Sequence, residues 1–499
     1  MRFDDRFLRR LAAILCVLAL LVSALPLYAI SVYNHPYYDD YSFSADVHQV
    51  WQETGSLGAV LRQAIQSAKE TRQNWQGNYT GTLLTNVQPG IFSESLYFVA
   101  SLILLTAFLL CGWFFLGTVF GQKGLGLDRW QVLILRCLTL SLLLQLMPDS
   151  GEAWYWFNGG VGNAFIYSLM MLFAALTIRM WKAETAAKTA ALTIALVLLA
   201  VVLGGGSYGG GLFSLCVLAV ALLWSLVKKQ KKGFLLAIAT VVLALCFLYS
   251  MSAPGNNKRA LMINNTSSPV KAVIQSFYYG VALMGSYTTL ALVGVTGLLV
   301  PFFWKAAKQS QWKFNHPWLV LALGVSLYCT QLTPPLFSGV HIGGGRIVNT
   351  YFISYVIFFL LYAFYLTGFV QKHLPQEVTI PANLQKLFAF VMACVLAVGL
   401  CGYKPQGEVL YGPQNLEGMK AALSIITGEA AQYDAEMSAR EVLLNDDTQK
   451  EITLAPLTAV PDVFMDDLVV PNAIYDVRPS LCWYYQKDLI HIVGEEAQP

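Results

Sequence analysis

Charge is scarce in this chain. Asp, Glu, Lys and Arg make up 12% of its 499 residues, about half the share found in soluble domains. With 56% hydrophobic residues, that shortage excludes an ordinary water-soluble fold and places the chain in lipid. The formal net charge is only +3, and no basic patch with interleaved aromatics occurs outside the loops assigned below to the cytoplasm, so nucleic acid is not an expected partner. No CxxC pair and no Cys/His cluster occurs among the nine cysteines, which excludes a zinc site and a disulfide framework as readings. No GxxxxGK[ST] occurs either, so the glycine clusters GGGSYGGG and GGGR are not P-loops. GGGSYGGG reads as a tight hairpin between spans. Ionisable residues are almost missing from the apolar runs. Arg136, near a cytoplasmic end where it can snorkel, is the main exception. That scarcity argues against an ion-coupled transporter.

What the chain has is a series of long apolar runs. The first, Leu11 to about Val32, follows the basic start MRFDDRFLRR. It is longer than the about 7–15 residues of a cleavable signal and reads as a retained anchor. Others lie near Ser95–Phe120, Gln131–Met147, Val161–Trp181, Ala190–Leu203, Gly211–Val227, Gly233–Met251, Ala272–Trp304, Pro317–Leu332, Thr350–Val370 and Leu387–Cys401. The expected fold is therefore an all-α polytopic membrane protein of about eleven transmembrane helices. Lys and Arg fall mainly in every second connection, with Lys228, Lys229, Lys231 and Lys232 the densest group. The positive-inside rule then puts the N-terminus in the cytoplasm and the C-terminus outside. Residues 1–401 form the membrane part and 402–499 a C-terminal region. The first outer loop, 33–94, is large. In it SLGAVLRQAIQSAKETRQ repeats apolar residues at helical spacing, which suits a helix on the membrane surface or one packed against other outer segments. The tail is expected to be a small extracytoplasmic α/β unit, with a helix over EGMKAALSIITGEAAQYDAEMSAR and mixed strand and turn over EVLLNDDTQKEITLAPL.

Polar residues gather at the outer ends of the spans: YNHPYYDDYSFS and NWQGNYTG in the first loop, then GEAWYWFNGG, SAPGNNKRA and HIGGGRIVNT. Separate loops thus deliver carboxylates and cations to one face. Transfer of a sugar from a lipid phosphate needs a base for the acceptor proton, which Asp39 or Asp40 would supply. It needs cations against the phosphate leaving group, for which Lys258, Arg259 and Arg346 are candidates. Polar and aromatic groups could bind the sugar: Tyr41, Trp75, Asn78, Glu152, Trp154, Tyr155, Asn158 and Asn256. Each has a plainer reading. An Asp-Asp pair can simply end a span, Lys258 and Arg259 can anchor headgroups, and the aromatics can form an interfacial belt. Isolated histidines such as His35 and His341 seldom ligate metal.

The pieces YDDYSFS, NWQGNYTG, YWFNGG, SAPGNNKR and GGGR, in that order, resemble the GT-C superfamily of membrane glycosyltransferases and, within it, the bacterial DUF6056 group. The resemblance covers about Arg9 to Tyr355, and CWYYQKDL resembles the group's closing aromatic segment. It implies a bacterial plasma-membrane enzyme that takes a sugar from a polyprenyl phosphate-linked donor to a cell-envelope glycan, lipid or protein on the outer face. By analogy Asp39 or Asp40 would be the base, and a divalent metal ion, if used, would sit on that pair. Two other readings stand beside it: a polysaccharide polymerase or ligase acting on lipid-linked glycans, and a non-enzymatic lipid-linked sugar flippase. Polymerases and ligases do not usually open with an acidic pair after the first span. A flippase would show an inverted repeat, and none is visible.

Overall fold

The structure, a computed structural model, describes residues 5–263, 266–374, 381–404, 412–465 and 476–493. In lipid every backbone N–H and C=O must bond within its own segment, so apolar runs become helices. Among the described residues, nine helices are long and apolar enough to cross a bilayer: Phe7–Tyr33, Glu94–Phe120, Phe157–Trp181, Ala186–Gly204, Tyr208–Val227, Gly233–Met251, Leu290–Gln309, Gly345–His373 and Asn383–Leu400. The protein is a multi-pass, almost wholly helical membrane protein.

In chain order α1 (Asp5–Ile30) is followed by three helices of the first loop, α2 (Asp39–Thr54), α3 (Leu57–Asn74) and α4 (Tyr79–Asn86). Then come α5 (Phe98–Phe120), α6 (Arg129–Gln145), α7 (Phe157–Gly160), α8 (Ile166–Trp181), α9 (Ala186–Gly204), α10 (Tyr208–Val227) and α11 (Gly233–Met251). Next are α12 (Pro254–Ile263), α13 (Pro269–Tyr287), α14 (Leu290–Gln309), α15 (Pro317–Thr330), α16 (Thr333–Phe337), α17 (Gly345–His373) and α18 (Ala382–Leu400). The tail holds α19 (Glu417–Thr427), α20 (Glu429–Leu444), β1 (Glu451–Leu454), α21 (Arg478–Tyr485) and β2 (Leu489–Ile492). Side chains start many of these helices by accepting from orphan N–H groups. Asp128 makes a capping box with Gln131, and Ser56, Thr185, Ser207, Ser268 and Thr289 each cap their own helix.

The apolar run expected over Ala272–Trp304 is two helices. Thr288 Oγ1 turns back to Met284 O, and Thr289 Oγ1 accepts from Leu292 N at 3.2 Å, so α13 stops and α14 starts there. The chain at the head of α13 bonds beside α16, where Ser267 N donates to Phe337 O at 3.0 Å. The far end of α13 reaches the first half of α17, where Tyr287 OH donates to Val348 O at 3.4 Å. Helix α13 therefore lies across the end of the bundle that carries Asp39. The opposite end is closed by Phe120, Phe303 and Phe364, whose ring centroids are 5.7 Å apart.

The helix expected over residues 417–440 is broken at Gly428, whose φ of 83° ends α19 in the left-handed conformation glycine favours. Only Glu451–Leu454 of the expected strand region is strand, and it pairs in parallel with β2. The tail is not a separate unit in packing. Ala421, Ala430, Tyr433 and Phe464 belong to the same core as α1, α5 and α17. Helix α3 resolves its apolar stripe in two. Val60 and Ala64 are buried with α2 and α4, while Leu57, Leu61 and Ile65 stay exposed.

Candidate functional site

Asp39 and Asp40 open α2, where two carboxylates in the first turn suit the helix dipole. The preceding Tyr38 has φ 51° and ψ −125°, a strained backbone for a side chain with a Cβ. That turn sends the two acids in different directions. Asp40 is buried. One of its oxygens accepts from Tyr97 OH and, at 3.5 Å, from Tyr37 N; the other accepts from Asn158 N at 3.0 Å. Burial pushes its carboxyl up to about 7, against the lowering effect of these donors. Tyr97 OH in turn accepts from Phe157 N at 2.9 Å. Asp40 thus ties α2 to the first turn of α7.

Asp39 is exposed. Its neighbourhood is crowded enough that partial desolvation raises its carboxyl above the ordinary value, while first Arg346 and then Arg259 pull it back down. The two guanidinium groups also act on each other. Arg346 stands at the start of α17 with its Cζ 4.7 Å from the Trp156 ring centre. Glu152 accepts from Arg346 N at 2.7 Å and lies 3.5 Å from its Nη1. Burial raises the Glu152 carboxyl, with the Arg346 charge opposing it. This docking needs Gly345, the last glycine of GGGR, because a side chain there would overlap Asp149. Asp149 and Asn349 exchange two further bonds, at 2.9 and 2.6 Å, which lock α17 to the 149–156 turn. Arg259, on α12, donates to Gln76 Oε1 at 2.9 Å and covers the Trp75 ring at 4.8 Å. Burial lowers its pKa, opposed by Asp39. Beside it Asn257, Ala260, Leu261 and Thr266 line an open hollow of about 530 Å³. Three separate segments therefore bring one carboxylate and two guanidinium groups together.

Other expected residues go elsewhere. Trp154 and Tyr155 have no exposed surface. Trp154 packs on Phe108 at 5.0 Å, and Tyr155 OH donates to Leu27 O at 2.9 Å, so neither offers a face to a sugar. Tyr41 is buried against Tyr484, 5.3 Å away, where the tail docks. Asn256 spends its side chain on structure: Oδ1 accepts from Tyr208 OH and Gly77 N, and Nδ2 donates to Ser250 O and Met251 O. Lys258 turns from the cleft to Asn74 Oδ1 at 2.8 Å. Asn78 and Asn158 are half-buried, and each has a buried side-chain atom without a hydrogen-bond partner, Oδ1 and Nδ2 respectively. Trp75 is exposed. Tyr97 is the working partner missing from the expected set. Nothing in a sequence marks Tyr97, which meets Asp40 across 57 positions.

The donor set does not suit a divalent metal. The oxygens of Asp40 are committed to N–H and O–H donors, and Asp39 shares its space with two cations. Among the described residues no group of three His, Cys, Asp or Glu could hold an ion. His35 instead bridges Glu94 at 3.2 Å and Asp434 at 2.9 Å, and His341 meets Tyr279 OH at 3.1 Å.

Compared with known protein families, curated proteins and solved structures, the chain matches none.

Proposed function

We propose that the protein is a membrane glycosyltransferase of the GT-C kind, moving a sugar from a polyprenyl phosphate-linked donor to a cell-envelope glycan, lipid or protein on the outer face of a bacterial plasma membrane. The observation that carries this reading is the exposed Asp39 carboxylate within electrostatic reach of Arg259 and Arg346. In this reading the shorter α6 and α15 also cross, so the passes number eleven, and with the N-terminus cytoplasmic the odd count puts the tail outside, on the side of Asp39.

In this reading Asp39 takes the proton of the acceptor hydroxyl. The freed oxygen bonds to the anomeric carbon as the bond from that carbon to the donor phosphate oxygen breaks. The phosphate leaves with the electron pair, and its added charge falls between the two guanidinium groups, which bind phosphate in forked pairs. Glu152 holds Arg346 in place, and Trp75 and Trp156 back the two arginines. Asp40, enclosed by its donors, positions the turn. No step runs through a metal.

The test is consumption of radiolabelled polyprenyl phosphate sugars by membranes containing the protein. Arg259→Ala and Arg346→Ala should each raise the donor KM while the variants remain folded. Consumption with an unchanged KM and rate in both would remove the arginines from the site. The same two cations would also serve a polymerase or ligase on lipid-linked glycans. That reading gains if Asp39→Asn consumes donor normally.

A further inference from the structure

Two arginines at the end of the bundle opposite Asp39 take no part in the proposed site. Arg136, on α6, lays its guanidinium across Gly117 of α5, where any side chain would overlap it. Its Cζ is 4.8 Å from the Trp113 ring centre, and its Nε is buried without a hydrogen-bond partner. Arg179, on α8, covers Phe114 at 3.9 Å and donates from Nε to Thr118 Oγ1 at 3.3 Å. Trp113 with Gly117 and Phe114 with Thr118 are both four-residue steps, so the arginines flank adjoining faces of one helix. They are close enough to repel each other. Neither makes an ion pair with a carboxylate among the described residues. Arg9, at that end, does pair with a carboxylate, Asp128, at 2.7 Å.

Two like charges held side by side call for an anion between them. Helix α5 belongs to a segment apolar enough to cross a bilayer and ends at Phe120, so Gly117 lies within its last turn. The anion found at that depth is a lipid phosphate. Forked guanidinium groups suit its oxygens, and Trp113 and Phe114 offer apolar surface to the chains below it. We propose that α5, α6 and α8 form a binding site for an anionic phospholipid whose phosphate is held by Arg136 and Arg179, in the leaflet opposite Asp39.

The test is the melting temperature of purified, delipidated protein with added phosphatidylglycerol, phosphatidylcholine or inorganic phosphate. Phosphatidylglycerol should raise it, phosphatidylcholine and inorganic phosphate should not, and the rise should vanish in an Arg136→Gln/Arg179→Gln double variant. Arg62→Gln, on α3, should keep the rise. Equal stabilisation by phosphatidylcholine would overturn the site, and equal stabilisation by inorganic phosphate would make it a free-anion site instead. A full rise in the double variant would also overturn it. If the double variant does not fold, photo-crosslinkable phosphatidylglycerol on the wild type decides: labelling of α5, α6 or α8 near Gly117 supports the site, and labelling confined elsewhere contradicts it.

Discussion

Asp39 and Asp40 are chain neighbours with opposite surroundings, and each gives its own prediction. A base must be ionised to accept a proton. Partial desolvation holds the Asp39 carboxyl above the ordinary range. Donor consumption should therefore fall, as pH drops, at a higher pH than an ordinary carboxylate would set. Arg346→Ala removes the largest opposing charge and should move that acid limb further up. A limb unmoved by this variant would separate Arg346 from Asp39. Asp40 behaves differently. Its folded pKa of about 7 stands above the ordinary 3.8, so the folded state binds the extra proton between those values. Stability should fall as pH rises through that window. Asp40→Asn should flatten the melting temperature across it. Tyr97→Phe leaves Phe157 N and Asp40 short of a partner each and should cost ~1–3 kcal/mol, read as a lower melting temperature in detergent. The sequence presented both acids as candidates. It could not separate them, because the partners that enclose Asp40 lie 57 and 118 positions away.

At the scale of elements, the start of α17 matters most. Gly345 lets that helix approach Asp149, and the approach is what presents Arg346. Gly345→Ala should push α17 outward, lower the melting temperature and raise the donor KM together. A variant with normal KM would show that Arg346 reaches its place without this docking. Most helices were legible as apolar runs, since lipid leaves a long apolar segment no other regular structure. The break between α13 and α14 was not, because Thr288 and Thr289 differ too little in hydropathy from their neighbours to mark an end. Their side-chain bonds make the break, and those depend on geometry. Gly428 was a visible signal for a stop within the tail helix, and the structure uses it so.

Across the whole molecule, the first loop and the tail close over the end of the bundle that holds Asp39. His35 joins them, gripped by Glu94 and Asp434. Burial opposes its charge, yet the two carboxylates raise its pKa to about 9. A raised histidine stabilises fully below its unfolded value of 6.5 and loses that contribution as pH rises through about 9. Hydrogen exchange in α20 should therefore quicken over that window, and His35→Gln should remove the change. Pairing of the tail with α2 was invisible in the sequence, because nothing in it links Tyr41 to Tyr484 across more than four hundred positions.

In the proposed reaction Asp39, and not Asp40, is the base. The most direct measurement is donor consumption by wild type, Asp39→Asn and Asp40→Asn, each confirmed as folded. Asp39→Asn should lose ~10²-fold or more, in the range for removal of a general base, and Asp40→Asn should lose less, with reduced stability. Wild-type consumption by Asp39→Asn, with loss in Asp40→Asn, would contradict that assignment.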